Sequence, residues 1–125
     1  VREFSNVAGL QEPTSLKLST TSVTDVLSIT AGDKATYLVY GVILVNDDST
    51  ARLVNVYWTS NATDYGIFSA TVGAGETMTV GFDAPVKLFA KSTARKIRAK
   101  AAAANVVTVT VLYALSGQTK DDAAN

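Results

Sequence analysis

The 125-residue chain contains no cysteine and no histidine. Without thiols there is no disulfide framework, and the redox compartment leaves no mark on the sequence. Zinc, copper and iron sites that depend on imidazole or thiolate are excluded. So are Ser-His-Asp and Cys-His nucleophilic machinery. Catalysis would have to rest on Asp, Glu, Lys, Ser or Tyr, and no two carboxylates are paired in a way that suggests glycoside chemistry. The expectation is a protein that is not an enzyme, with no cofactor and no metal. Net charge is missing as well: eleven basic residues balance eleven acidic ones, so no global field draws in nucleic acid or an anionic membrane. No apolar run approaches the length needed to span a bilayer. The first residues lack the basic start, apolar run and small-residue cleavage site of a signal peptide, and a start at Val1 fits prior removal of a leader or initiator Met.

What the chain does have is a hydrophobic content of 47%, ordinary for a globular domain, in a length that suits one domain. Residues 1–15 show no sustained period and are interrupted by Gly9 and Pro13; they are expected to form an extended N-terminal arm. From residue 16 to 116 the chain reads as short strands. These are the nine runs 16–20, 26–30, 35–46, 51–60, 67–72, 77–82, 86–90, 96–101 and 105–115, with turn signals between them, and a domain of about eight strands is expected. No stretch shows a capped 3.6-residue apolar period. Regularly spaced strands of this kind predict an all-β antiparallel sandwich or jelly roll. The polar residues 117–125 are expected to form a C-terminal tail.

The run "ATYLVYGVILVN" (35–46) is apolar at both odd and even positions. One face of such a strand fills the sandwich core, and the other needs a cover. The odd set Tyr37, Val39, Ile43 and Val45 is the candidate interface face, and Gly41 in mid-strand suggests a bulge or a close backbone approach. In "KIRAKA" (96–101), Lys96, Arg98 and Lys100 alternate with Ile97, Ala99 and Ala101. That is period two, so the cations share one face of a strand. The following "AAAAN" is too short for a stable helix alone, and a hairpin with its turn near Ala102–Asn105 is expected. The basic face is either solvated or paired with acidic neighbours, or it meets an acidic partner. No stacking aromatic interleaves with its three cations, which argues against nucleic acid.

Asp47, Asp48, Asp64 and Asp83 fall at turns, where Asp is routine, and their spacing matches no EF-hand. Tyr57 and Tyr65, with Asn61 and Asp64 in the intervening polar loop, are the candidate ligand residues of a sugar- or receptor-binding surface. Trp58 shares a face with Val54 and Val56 and is expected in the core. "NAT" (61–63) is a glycosylation sequon, relevant only in a eukaryotic secretory setting.

The segments Tyr37–Asn46, Asp47–Thr50, Leu53–Thr59, Gly73–Thr77, Pro85–Leu88 and Ile97–Leu115 follow a recurrent order. A Tyr-containing apolar strand, an Asn/Asp/Ser/Thr turn and a Val-rich strand lead to a Gly-x-Gly-Glu-Thr turn, a Pro-Val-x-Leu strand and a final Val/Thr/Tyr hairpin. This succession, over roughly residues 35–115, resembles small virion proteins of tailed bacteriophages. The resemblance implies a β-sandwich that acts by assembly in the virion. Foremost is a capsid decoration (cement) protein that bridges subunits of the major capsid protein, or binds other virion proteins, as a homo-oligomer such as a trimer. A tail, baseplate or head–tail accessory part is the alternative within the virion. A carbohydrate- or receptor-binding module is the alternative from another class. Neither nucleic acid nor membrane is an expected partner. No functional residue carries over, because the shared motifs are structural, and the basic run lies outside the shared pattern.

Overall fold

The computed structural model describes residues 11–116. Its strands are β1 (Thr14–Lys17), β2 (Thr24–Ile29), β3 (Thr36–Asn46), β4 (Arg52–Ser60), β5 (Thr63–Val72), β6 (Thr77–Phe89), β7 (Arg95–Ala101) and β8 (Val107–Ser116). They form two four-stranded sheets, in the orders β1-β8-β3-β6 and β2-β7-β4-β5. The pairs β1·β8, β2·β7, β3·β6 and β4·β5 are all antiparallel. The chain is thus one long hairpin, doubled back at β4–β5 and rolled into two layers, which is a jelly roll. Only the β4–β5 connection joins hydrogen-bonded neighbours; every other connection crosses between sheets.

The layers close on alternating side chains. Val54, Val56, Ile97, Ala99, Leu27 and Ile29 of the second sheet meet Val42, Leu44, Val107, Val109, Val111 and Leu88 of the first, all buried. Burying a Leu or Val side chain stabilises by about 1.5–3 kcal/mol against leaving it in water, and the β-branched Val that dominates here suits a pleated surface. Trp58 packs against this core as expected.

Several expectations need correction. The strand β1 takes in Thr14 and Ser15, which were assigned to the arm; residues 1–10 and the tail 117–125 lie outside the described residues. The stretches 77–82 and 86–90 are one strand, because β6 is an edge strand. Opposite Tyr40 it carries Phe82–Pro85 as an unpaired bulge within the strand, between the Gly41↔Gly81 and Val39↔Val86 pairs. Pro85 is tolerated there because no ladder hydrogen bond is asked of it. The turn at 102–105 exists and is not helical, but β7 and β8 belong to different sheets. It is a crossover rather than a hairpin.

The expectation at Gly41 holds in both of its forms. Against β8, the register passes from Val39↔Tyr113 to Gly41↔Leu112, leaving Tyr40 as a one-residue bulge. A Cβ on Gly41 would lie 2.5 Å from the Val80 carbonyl oxygen, so only glycine fits. The bulge reverses which side chains face inward. Before it Tyr37 and Val39 point into the core; after it Val42, Leu44 and Asn46 do.

Candidate assembly surfaces

On the outer face of the first sheet, the Tyr40 bulge breaks up the expected interface set. Val39 is fully buried, so it cannot touch a partner. Tyr37 packs against the core, its ring 6.0 Å from that of Tyr113. Its hydroxyl donates to Asp33 Oδ2 at 2.8 Å. Burial, followed by that carboxylate neighbour, pushes the phenol up to about 12. Ile43 and Val45 do face outward, half-buried. The outward row on β3 is therefore Leu38, Tyr40, Ile43 and Val45. Tyr40 is 41% exposed. Around this row, Ser15 and Thr110 share a hydroxyl hydrogen bond of 2.8 Å. Thr79 and Thr110 flank Ile43, while Thr77 and Thr108 flank Val45. The face is apolar, fringed with threonine, and its central strand offers no charge.

The outer face of the second sheet is built differently. Lys96, Arg98 and Lys100 share it, as the alternation requires, standing beside Thr59, Tyr57 and Asn55 of β4. The strand β7 is an interior strand next to the edge strand β2. Arg98 is the hub. Its Nη1 donates to both carboxylate oxygens of Asp64 at 3.1 Å, and its Nη2 to the Val23 carbonyl at 3.1 Å. Its Nε lies 2.8 Å from Asp25 Oδ1 without aiming its proton there, so that contact is an ion pair rather than a hydrogen bond. Lys96 reaches Asp25 at 3.1 Å. Thr59, 1% exposed, donates its hydroxyl to Asp64 Oδ1 at 2.6 Å. The Thr59 hydrogen bond, followed by Arg98, holds the Asp64 carboxyl below the ordinary carboxylate range. Pairing with acidic residues thus accounts for two of the three cations. Lys100 stays exposed, with no ion pair among the described residues, beside a shallow groove of about 440 Å³ lined by Thr21, Leu53, Asn55 and Ala102.

The candidate ligand residues do not converge. Tyr57 pairs with Gly66 and Arg98 on the outer face, whereas Tyr65 pairs with Trp58 and turns its ring toward it, 5.8 Å away. The two tyrosines lie on opposite faces of the sheet. Asp64 is engaged by Arg98 and Thr59, and Asn61 adopts a φ of 59° in a two-residue turn. Its role is conformational, since Asn tolerates the left-handed region. No group of three or more metal-ligating side chains occurs among the described residues.

Two features of the loops were not anticipated. Asn46, fully buried, donates through Nδ2 to the carbonyls of Thr50, Val72 and Gly73 and accepts the Asp48 N–H. It ties two loops at one end of the roll. Asp48 beside it is paired with Arg52 Nε at 2.6 Å, and that contact lowers the Asp48 carboxyl. At the opposite end, backbone bonds from Gly32 N–H to Ala90 and from Asn61 N–H to Ala94 join three loops. Arg95 lies over the Trp58 ring at 5.5 Å, and the indole N–H donates to the Lys87 carbonyl.

No family model and no curated protein matches the chain. Solved structures do. One is a chain of the extra small virus virus-like particle from the giant freshwater prawn Macrobrachium rosenbergii (12% identity, TM-score 0.51, covering 83% of this chain and 75% of that one). Others are PirA (16%, 0.48, 82% and 94%) and the capsid of Helicobacter pylori bacteriophage KHP30 (15%, 0.48, 82% and 83%). At these identities the likeness is one of fold alone, and it rests on the first of the three: the chain is an all-β, two-sheet protein of the jelly-roll type.

Proposed function

We propose that the chain is a virion structural protein that acts by assembly, most concretely as a bacteriophage capsid decoration protein that bridges capsid subunits. The observation that carries this reading is the outward row Leu38, Tyr40, Ile43 and Val45 on a sheet whose inner face is already filled. Apolar side chains that the fold places outside, on a central strand, gain their burial from another chain. Stable interfaces bury about 1,200–2,000 Å² in total, more than this row alone supplies, so the flanking threonines belong to the contact. In this reading self-association into a homo-oligomer, such as a trimer, presents the same face from each copy. Tyr57 and Tyr65, on opposite faces of their sheet, do not form one aromatic platform, which gives the sugar-binding reading less support.

Cryo-EM of the intact source particle tests the proposal directly. The expected density is a jelly roll seated on the shell with the β3 outer face at a protein contact. Density at the tail or baseplate would replace decoration by an accessory role. A protein absent from the particle that also sediments as a monomer would overturn the proposal.

A further inference from the structure

The two sheets end in the edge strands β1, β6, β2 and β5. Sheet edges are usually guarded against pairing by shortness, bulges, proline or charge. The strand β1 has only four residues. In β2 the register shifts between Asp25 and Leu27, and Asp25 is charged. The strand β6 is interrupted at Phe82–Pro85 and continues with Lys87. The strand β5 is guarded least. It has a one-residue bulge at Ile67, since Val56 pairs with Phe68 and Tyr57 with Gly66. Beyond the bulge, Phe68–Val72 pairs with β4 without a break and contains no charge and no proline. Along Phe68–Thr71 the far side of the strand has no backbone partner among the described residues. The run ends at Val72, whose carbonyl accepts from Asn46 Nδ2 at 3.0 Å.

The core is open on the same side. Phe68 and Ala70 of β5 stand opposite Val56 and Val54, and Met78 and Val80 of β6 stand opposite Leu44 and Val42. Those four partners are fully buried, whereas Phe68, Ala70, Met78 and Val80 point the same way and stay half-buried. On the other side of the roll Leu18, Val26 and Leu27 are buried. The turn 73–76 joins Val72 to Thr77, so Ala70 and Thr79, each two residues into its strand from that turn, stand at about the same height. The segment Thr77–Gly81 is also without charge.

We propose that this open side is a two-fold interface between two copies of the chain, in which β5 pairs antiparallel with β5 of the second copy about an axis at Ala70. A row of unpaired backbone N–H and C=O groups calls for another strand. A strand of the same sequence fits, because about a two-fold axis a charge would meet its like and this run has none. Phe68 then faces Val72 of the second copy, and Ser69 faces Thr71. The axis also passes Thr79, so the half-buried rows of the two copies close on each other and the second sheet runs on through the axis. The β3 outer face stays outside this contact, so the interface does not rest on the assembly role.

Sedimentation of the full-length chain over a concentration series should show a dimer. Ser69 and Thr71 are exposed, so Ser69→Lys/Thr71→Lys should fold as the parent does while setting lysines opposite each other across the axis. That variant should sediment as a monomer where the parent is a dimer, and Ser69→Gln/Thr71→Gln, of similar length without charge, should remain a dimer. Since the chain has no cysteine, Ala70→Cys places one thiol per copy at the axis and should oxidise to a covalent dimer. Ser28→Cys, exposed on the edge strand β2, should not. A parent that is monomeric throughout the series, a dimer that survives the paired lysines, or equal cross-linking through Ser28→Cys would each overturn the proposal. So would a dimer that Ile43→Thr dissolves and the lysines do not, because self-association would then run through the β3 face. The place of the roll in the source particle does not enter these measurements, so this interface and the decoration role fail separately.

Discussion

The two outer faces of the roll are made from the same pleat and solve different problems. On the first sheet, β3 puts Leu38, Tyr40, Ile43 and Val45 outward, with threonines around them and no ion pair at the centre. On the second, β7 puts Lys96, Arg98 and Lys100 outward, and Asp25 and Asp64 neutralise two of them within the same chain. The charged face is neutralised in part by its own strands, whereas the other presents apolar side chains outward. Under the proposed assembly role, substitutions at the paired cations should act on folding, and those on the apolar face on association.

The largest effect should come from the inner side of β3, which sets the scale. Leu44→Ala, at a fully buried position, should cost about 2–5 kcal/mol. Its outward neighbour Ile43→Thr should stay within about 0.5 kcal/mol, as surface changes do. Urea denaturation of both variants checks this, and equal losses would end the distinction between filled and unfilled faces.

Arg98→Ala comes next. It leaves Asp25 and Asp64 facing each other without their hub, and the cost of stranded partners is about 1–3 kcal/mol. The same denaturation experiment reads it. A variant as stable as the parent would show that the cluster is solvated ornament.

Acid should distinguish the faces too. The Asp64 carboxyl is held below its ordinary value by Thr59 and Arg98. Its contribution is complete above the unfolded-state pKa and is lost as pH falls through the lower folded one. Stability should therefore decline below about pH 4, where unperturbed Asp titrates, and Asp64→Asn should decline less steeply. The profile of Ile43→Thr should parallel that of the parent. Chemical denaturation from pH 7 to pH 2 follows all three, and parallel curves for Asp64→Asn and the parent would remove the assignment.

The smallest effect on folding belongs to Lys100, exposed and without an ion pair among the described residues. Lys100→Ser should be neutral to within about 0.5 kcal/mol. If Lys100 serves a partner, attachment to the particle should weaken, and more so at low salt.

Much of this was legible in the sequence. The alternation in 96–101 located three cations on one face, and the doubly apolar 35–46 marked a strand with apolar side chains on both faces. Gly41 marked both a bulge and a close approach. The facing of Tyr37 and Val39 was not legible, because period two holds only while the register holds, and Tyr40 breaks it. Nor could Pro85 reveal that its strand continues, since that depends on β6 being an edge. The four alanines at 101–104 signalled a turn, but a local turn signal does not say whether the next strand pairs with the last or crosses to another sheet. Asn61–Gly66 read as one long polar loop, when the chain reverses at Asn61–Ala62 and is back in a strand by Thr63. That misplacement put Tyr57 and Tyr65 together, although the register parts them.

The single extra residue at Tyr40 also bears on how this chain should be compared with others. Its two halves of β3 count inside and outside with opposite parity. Set against an unbulged strand without a gap, whichever half is matched correctly forces the other out of phase. Anchored on Val42 and Leu44, such an alignment would report Tyr37 and Val39 as surface and transfer to them the variability expected of surface. Placing one gap at Tyr40 restores both halves, and it makes the presence or loss of that residue in a relative a marker of which outer surface the relative presents.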